Sequence, residues 1–136
     1  MRLLMIYCND FSYTPAVVNS KLADQNAESA AARNVLVGFI HMEAADEEKM
    51  ASVETKLVKN LKWAARKNNT QSIVLHTFAH LSESKADPLL TKKLLDQAEI
   101  RLSDSGYETL QTPFGYFLNL DVQAPGRSFA RLYKEF

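Results

Sequence analysis

The chain predicts an α/β domain, a mixed β-sheet with helices packed on it. Three observations predict this. Two segments carry apolar residues at helical spacing, about six short segments are β-branched or aromatic, and strand-like and helix-like segments alternate through the second and third quarters. A length of 136 residues suits one domain with one core, so residues 1–136 are expected to form a single domain.

The elements follow in order. Leu3 to Cys8 is an apolar run and reads as a buried strand. Asn9-Asp10 breaks it, and Phe11 to Leu22, with Tyr13, Val17 and Val18, reads as a second, less regular strand. Gln25 to Ala32 is polar and alanine-rich, and is expected as a loop or a short helical turn. Val35 to Met42 has the pattern of a central strand, with Gly38 marking a bulge or a close backbone approach. Asp46 is expected to cap a helix running to about Lys67, where Asn68-Asn69 stops it.

Ser72 to Phe78 is a third apolar strand. Asp87-Pro88 supplies a cap and a first-turn proline for a second helix, in which Leu90, Leu94, Ala98 and Leu102 make a core stripe. Gly106 suits the left-handed residue beyond its end. Tyr107 to Phe114 and Tyr116 to Val122 read as two strands meeting at Pro113-Phe114-Gly115. Ser128 to Phe136 is amphipathic, and the chain ends without a stop signal, as a free-standing domain or as part of a longer polypeptide.

On the first helix, Met50, Val53, Leu57, Leu61 and Ala64 share one face, and Lys49, Lys56, Lys59, Arg66 and Lys67 lie opposite. Trp63 falls among the cations. It is expected either as an exposed contact for RNA or a partner, or lying flat on neighbouring aliphatic stems.

Composition excludes several classes. Apolar residues are 46%, charged residues 24% and the formal net charge +0, so the chain is not a strongly basic nucleic-acid binder. With Cys8 as the single cysteine there is no internal disulfide, and with no signal pattern a cytoplasmic protein is expected. No segment approaches the ~20 apolar residues of a membrane span. His41, His76 and His80 lack metal-ligand spacing, so no metal is expected. GxGxxG, GxxxxGKS/T and GxSxG are all absent, so no cofactor is expected.

Two hexapeptides carry the functional signal: Thr77-Phe78-Ala79-His80-Leu81-Ser82, and Thr112-Pro113-Phe114-Gly115-Tyr116-Phe117. With the start Met1 to Ile6 and the run Val35 to Ile40, they resemble the archaeal-type N-terminal editing domain of threonyl-tRNA synthetase, in order and spacing over nearly the whole chain. The resemblance implies a D-aminoacyl-tRNA deacylase-like fold. It also implies hydrolysis of serine wrongly attached to tRNA(Thr), because a missing methyl group is worth only ~1–3 kcal/mol of discrimination at a synthetic site.

By that resemblance His80 and Tyr116 act at the ester. Phe78, Ala79, Gly115 and Phe117 wall the aminoacyl pocket, and Met42 and Glu43 lie near the terminal adenosine. Backbone N–H groups and the substrate's own 2′-hydroxyl carry much of the chemistry. The implied partners are the aminoacylated acceptor end of tRNA, a second copy in a homodimer, and a synthetase catalytic core. The bland reading of the same residues is a strand end with a structural histidine and an aromatic core.

The pattern departs from the family at two positions. Leu118 stands where the family has lysine, and Arg131 where it has glutamate. The departures leave three options: catalysis by backbone and 2′-hydroxyl, action on another ester such as a D-aminoacyl-tRNA, or a non-catalytic module for tRNA binding or dimerisation.

Overall fold

A computed structural model describes residues 1–136. β1 (Arg2–Val18) is one long strand at the centre of the connectivity. It pairs antiparallel with β2 (Ala30–His41) on one side. On the other side its C-terminal half pairs with β5 (Tyr116–Gln123) and its N-terminal half with β6 (Arg131–Glu135). Parallel strands β3 (Ser72–Thr77) and β4 (Glu108–Gln111) extend the sheet beyond β2, giving the order β4-β3-β2-β1-β5. Helices α1 (Met50–Lys67) and α2 (Pro88–Asp104) make the crossovers β2-α1-β3 and β3-α2-β4 that parallel pairing requires.

The helices cover one face. Val53, Leu57, Leu61 and Ala64 of α1 and Leu94, Ala98 and Leu102 of α2 are buried against Leu3, Met5, Leu36, Ile40, Ile73 and Leu75. The predicted stripes therefore face the core. Gly38 marks the close approach, since a Cβ there would lie 2.8 Å from the Leu61 side chain while β1 and β2 stay in continuous register. The opposite face holds a smaller cluster of Cys8, Phe11, Tyr13, Val35, Val37, Phe39 and Val74, against which Leu118 packs. Burial there pushes the Cys8 thiol up to about 11, which makes it an inert packing group.

Asp87 caps α2, its carboxylate accepting from the N–H groups of Leu89 (2.8 Å) and Leu90 (3.4 Å), with Pro88 at the first position. Gly106 follows the helix at φ +90°.

Four expectations are corrected. Asn9-Asp10 does not break β1, because Asp10 lies opposite Arg33 on β2 and forms a 3.1 Å ion pair with it. Residues 30–32 belong to β2 rather than to the preceding loop. Asp46 is not an N-cap. A 3-10 turn, Ala44–Lys49, precedes α1, and the buried Asp46 carboxylate lies 2.7 Å from the Met1 ammonium while accepting from the Glu43 N–H at 2.8 Å. Trp63 is half-buried, edge-on to Phe129 at 6.2 Å, with the Lys134 ammonium 5.5 Å from its ring.

Candidate functional site

The C-terminal ends of β2 and β3 open into a cleft of about 570 Å³, a size that suits a small organic ligand. Its floor and one wall come from Ile40, Met42 and the segment His76–His80; Pro88 and Thr91 of α2 contribute a second wall. The opposing wall is Pro113 to Leu118 with Leu120. The two hexapeptides, some thirty residues apart in sequence, thus face each other.

The first wall is a strand that stops. Phe78 N–H still bonds the Ile40 carbonyl at 2.9 Å, continuing the ladder, after which the chain turns away. The N–H groups of Ala79 and His80 then have no acceptor within the protein. The segment beyond is pinned by a neutral histidine. His41 Nδ1 accepts from the Leu81 N–H at 3.0 Å, so Nε2 carries the proton and donates to the Ser84 carbonyl at 2.7 Å. Glu43 holds the same loop, accepting from the Ser82 hydroxyl at 2.8 Å. That bond, helped by the Met1 ammonium and Arg2, holds the Glu43 carboxyl below its ordinary value although burial opposes it.

The second wall is clamped by the loop after β1. Gly115 adopts φ +84°, and a Cβ would fall 2.5 Å from the Ala23 Cα, so no side chain fits. Asp24 closes the clamp. Its carboxylate accepts from Phe114 N–H at 2.7 Å, its own N–H donates to the Phe114 carbonyl at 3.0 Å, and its carbonyl accepts from the Tyr116 hydroxyl at 2.8 Å. Asn19 N–H adds a bond to the Gly115 carbonyl at 2.8 Å.

Seven of the eight residues singled out from sequence line this cleft: Met42, Phe78, Ala79, His80, Gly115, Tyr116 and Phe117. His80 is exposed at the mouth, its ring edge-on to Phe78 at 4.9 Å. Phe117 is 52% exposed. The Tyr116 hydroxyl is spent on Asp24, so Tyr116 offers its ring to the cleft and its oxygen to the clamp. The eighth, Glu43, stands outside the lining and acts on the loop instead. Of the two departures, Leu118 lines the cleft and supplies no charge there. Arg131 lies outside it, its guanidinium donating to the Pro125 carbonyl at 2.9 Å.

Sequence reasoning missed Asp24, because a single aspartate in a polar loop carries no motif. It also passed over His76 as a ligand to anything but a metal. His76 is 6% exposed, and burial, with the neighbouring His80 adding to it, pushes its imidazole down to about 4. Its position inside a strand running into the Phe78-Ala79-His80 motif was the available signal. No groups of histidine, cysteine and carboxylate side chains with metal-binding proximity occur. No helix is long and apolar enough to cross a membrane.

Residues 1–136 match the family described as the archaea-specific editing domain of threonyl-tRNA synthetase. Similar proteins include the threonine–tRNA ligases of Methanosphaera stadtmanae, 30% identical over 135 residues, and of Thermococcus kodakarensis, 30% over 135, each aligned over 97% of this chain. That of Nitrosopumilus maritimus is 29% identical over 136 residues. The chain spans about a fifth of the length of these relatives, 21–22%. Among solved structures, the c-Myc DNA Unwinding Element Binding Protein superposes with a TM-score of 0.71 over 100% of this chain and 99% of its own, at 11% identity, a likeness of fold.

Proposed function

The chain belongs to the archaea-specific editing-domain family of threonyl-tRNA synthetase, which proofreads seryl-tRNA(Thr), and from that premise we propose that its cleft is where the seryl ester is hydrolysed. The single observation that carries the placement is the pair of free N–H groups of Ala79 and His80, at a strand end that faces the aromatic wall of Gly115–Phe117.

In this reading the ester carbonyl points at those two amides. Water attacks the carbonyl carbon. The oxygen takes up negative charge and is stabilised by donors that need no reorganisation. The tetrahedral intermediate collapses with release of free serine and the 3′-hydroxyl of the terminal adenosine, which takes the proton. The adjacent 2′-hydroxyl of the substrate relays that proton, so the protein needs no strong general base. His80, exposed beside the amides, hydrogen-bonds the ester or the ribose. Phe117 and the ring of Tyr116 limit the room beside the serine Cβ, where threonine carries its methyl group. Met42 borders the adenosine, and Glu43 works at one remove by holding the Ser82 end of the loop.

In the same reading the partner is the aminoacylated acceptor end of tRNA. The chain acts as one domain beside a synthetase catalytic core in the cytoplasm, and pairs with a second copy of itself. Light scattering at high concentration checks the pairing, for which a clean monomer would count against it.

The test is deacylation of seryl-tRNA(Thr) ending in adenosine or in 2′-deoxyadenosine. The proposal expects hydrolysis of the first and a loss of ~100-fold or more on the second, because the relay is removed. His80→Ala should slow the first reaction while the melting temperature stays within about 2 °C, as an exposed side chain allows. Equal rates on the two substrates would overturn the role given to the 2′-hydroxyl.

A further inference from the structure

We infer that His76 is the residue by which the cleft reads a hydroxyl on the aminoacyl group, an inference that rests on the aminoacyl-ester reading given above. His76 is the penultimate residue of β3, one residue before the motif, and lines the cleft while being almost wholly buried. Its ring is fixed on three sides. Phe39 meets it edge-on at 5.3 Å, Phe78 lies at 5.9 Å, and Nδ1 is 2.9 Å from the Thr112 hydroxyl. Thr112 is itself buried and held by its N–H on the Leu75 carbonyl at 3.0 Å.

The other ring nitrogen, Nε2, has no partner in the protein. It is also not among the polar atoms sealed from solvent. It therefore opens to the cleft. The other fully buried polar side chain on the lining, Thr91, donates its hydroxyl to the Asp87 carbonyl at 3.1 Å. His76 alone among them keeps an open hydrogen-bonding atom, in a neighbourhood of Ile40, Met42, Phe78 and Phe114. A ligand that covers this atom without pairing with it leaves it desolvated and unsatisfied, so one that pairs with it is favoured.

The chemistry of the pair selects the ligand group. The Thr112 hydroxyl can donate to Nδ1, which leaves Nε2 as an N–H donor, or donate to the Leu75 carbonyl at 3.5 Å and accept from Nδ1–H, which leaves Nε2 as a bare acceptor. An ammonium needs the acceptor form only and a carboxylate the donor form only. A hydroxyl pairs with either. The side-chain hydroxyl of a seryl group fits; the methyl of an alanyl group leaves Nε2 unpaired. The same contact does not separate serine from threonine, which falls to the aromatic wall.

The experiment uses the 136-residue chain and two non-hydrolysable probes, 3′-deoxy-3′-serylamino-adenosine and its alanyl counterpart, with affinities read by calorimetry. The seryl probe should bind about 10-fold more tightly or better. His76→Phe, which keeps an aromatic ring between Phe39 and Phe78, should bring the ratio near one. His76→Gln, which returns an amide near the Nε2 position, should restore part of it. Thermal melting of both variants checks that the cleft is intact. A ratio near one in the unaltered chain, or a ratio unchanged in His76→Phe, overturns the inference. Hydrolysis of seryl-tRNA without a probe preference sinks the inference and leaves the proposed reaction standing. A His76-dependent preference without hydrolysis does the reverse, and failure of both probes to bind together with no hydrolysis removes both.

Discussion

Two residues lining the cleft, His76 and Gly115, each make a measurable claim. His76 is neutral in the folded chain because burial disfavours the imidazolium, and its value of about 4 lies below the 6.5 of a free histidine. Below pH 6.5 the unfolded chain binds a proton that the folded chain refuses. Its contribution to stability is thus present above about pH 6.5 and is lost progressively as the pH falls towards 4, by about 3 kcal/mol in all. Denaturant midpoints measured at pH 7 and pH 5 should show about 2 kcal/mol of this loss in the unaltered chain and a much smaller one in His76→Phe. An identical pH dependence in both would refute the assignment. Gly115→Ala makes the second claim. The substitution puts a Cβ 2.5 Å from the Ala23 backbone at a positive φ, where nothing flexible can move aside. A destabilisation of about 1–3 kcal/mol and loss of seryl-tRNA hydrolysis together are expected. A normal melting temperature with normal activity would show that the corner is not held as described.

At the scale of elements, the walls of the cleft are positioned by contacts that sequence patterns do not display. The β1–β2 and β1–β5 pairings bring residues 19–24 against residues 113–116, and Asp24 locks them. Asp24→Ala leaves the Phe114 N–H without its acceptor and should cost about 1–3 kcal/mol. KM for seryl-tRNA should rise more than kcat falls, because the corner is loosened rather than removed; an unchanged KM would exclude the clamp. The 3-10 turn before α1 is held by the wholly buried Met1 ammonium between Asp46 and Glu43. Asp46→Ala should destabilise the fold by about 3–5 kcal/mol, since it removes the nearer of the two carboxylates that neutralise a buried cation. Chemical denaturation checks that value, and a change under 1 kcal/mol would contradict it.

The helices were the most legible elements. Asp87-Pro88 named the start of α2 and Gly106 its end, and both stripes face the core, because a cap and a 3.6-residue period are local properties. Local signals failed where the answer lay on another strand. Asn9-Asp10 read as a break because its partner Arg33 is twenty-three residues away in sequence, and Asp46 read as a cap because its partner is the chain's first residue.

Over the whole molecule, six strands were expected and six are present, yet the two sets differ. Two predicted strands fuse into β1, and the C-terminal segment supplies β6. The sheet order could not be read from the chain, since β4 and β5 are separated by only four residues but end at opposite edges. That separation matters to function. The Thr112–Gly115 connection has to cross from one edge to the other, and in crossing it faces the end of β3 and closes the cleft. The motifs marked the residues, and the topology made them neighbours. The central claim is that this closed cleft removes serine from tRNA(Thr). It is tested most directly by incubating the 136-residue chain with seryl-, threonyl- and D-aminoacyl-tRNA and following release of each amino acid. Rapid release of serine alone, with the threonyl and D-aminoacyl esters spared by ~10-fold or more, is the predicted result. Intact seryl-tRNA after incubation with a folded chain that still binds tRNA would contradict it.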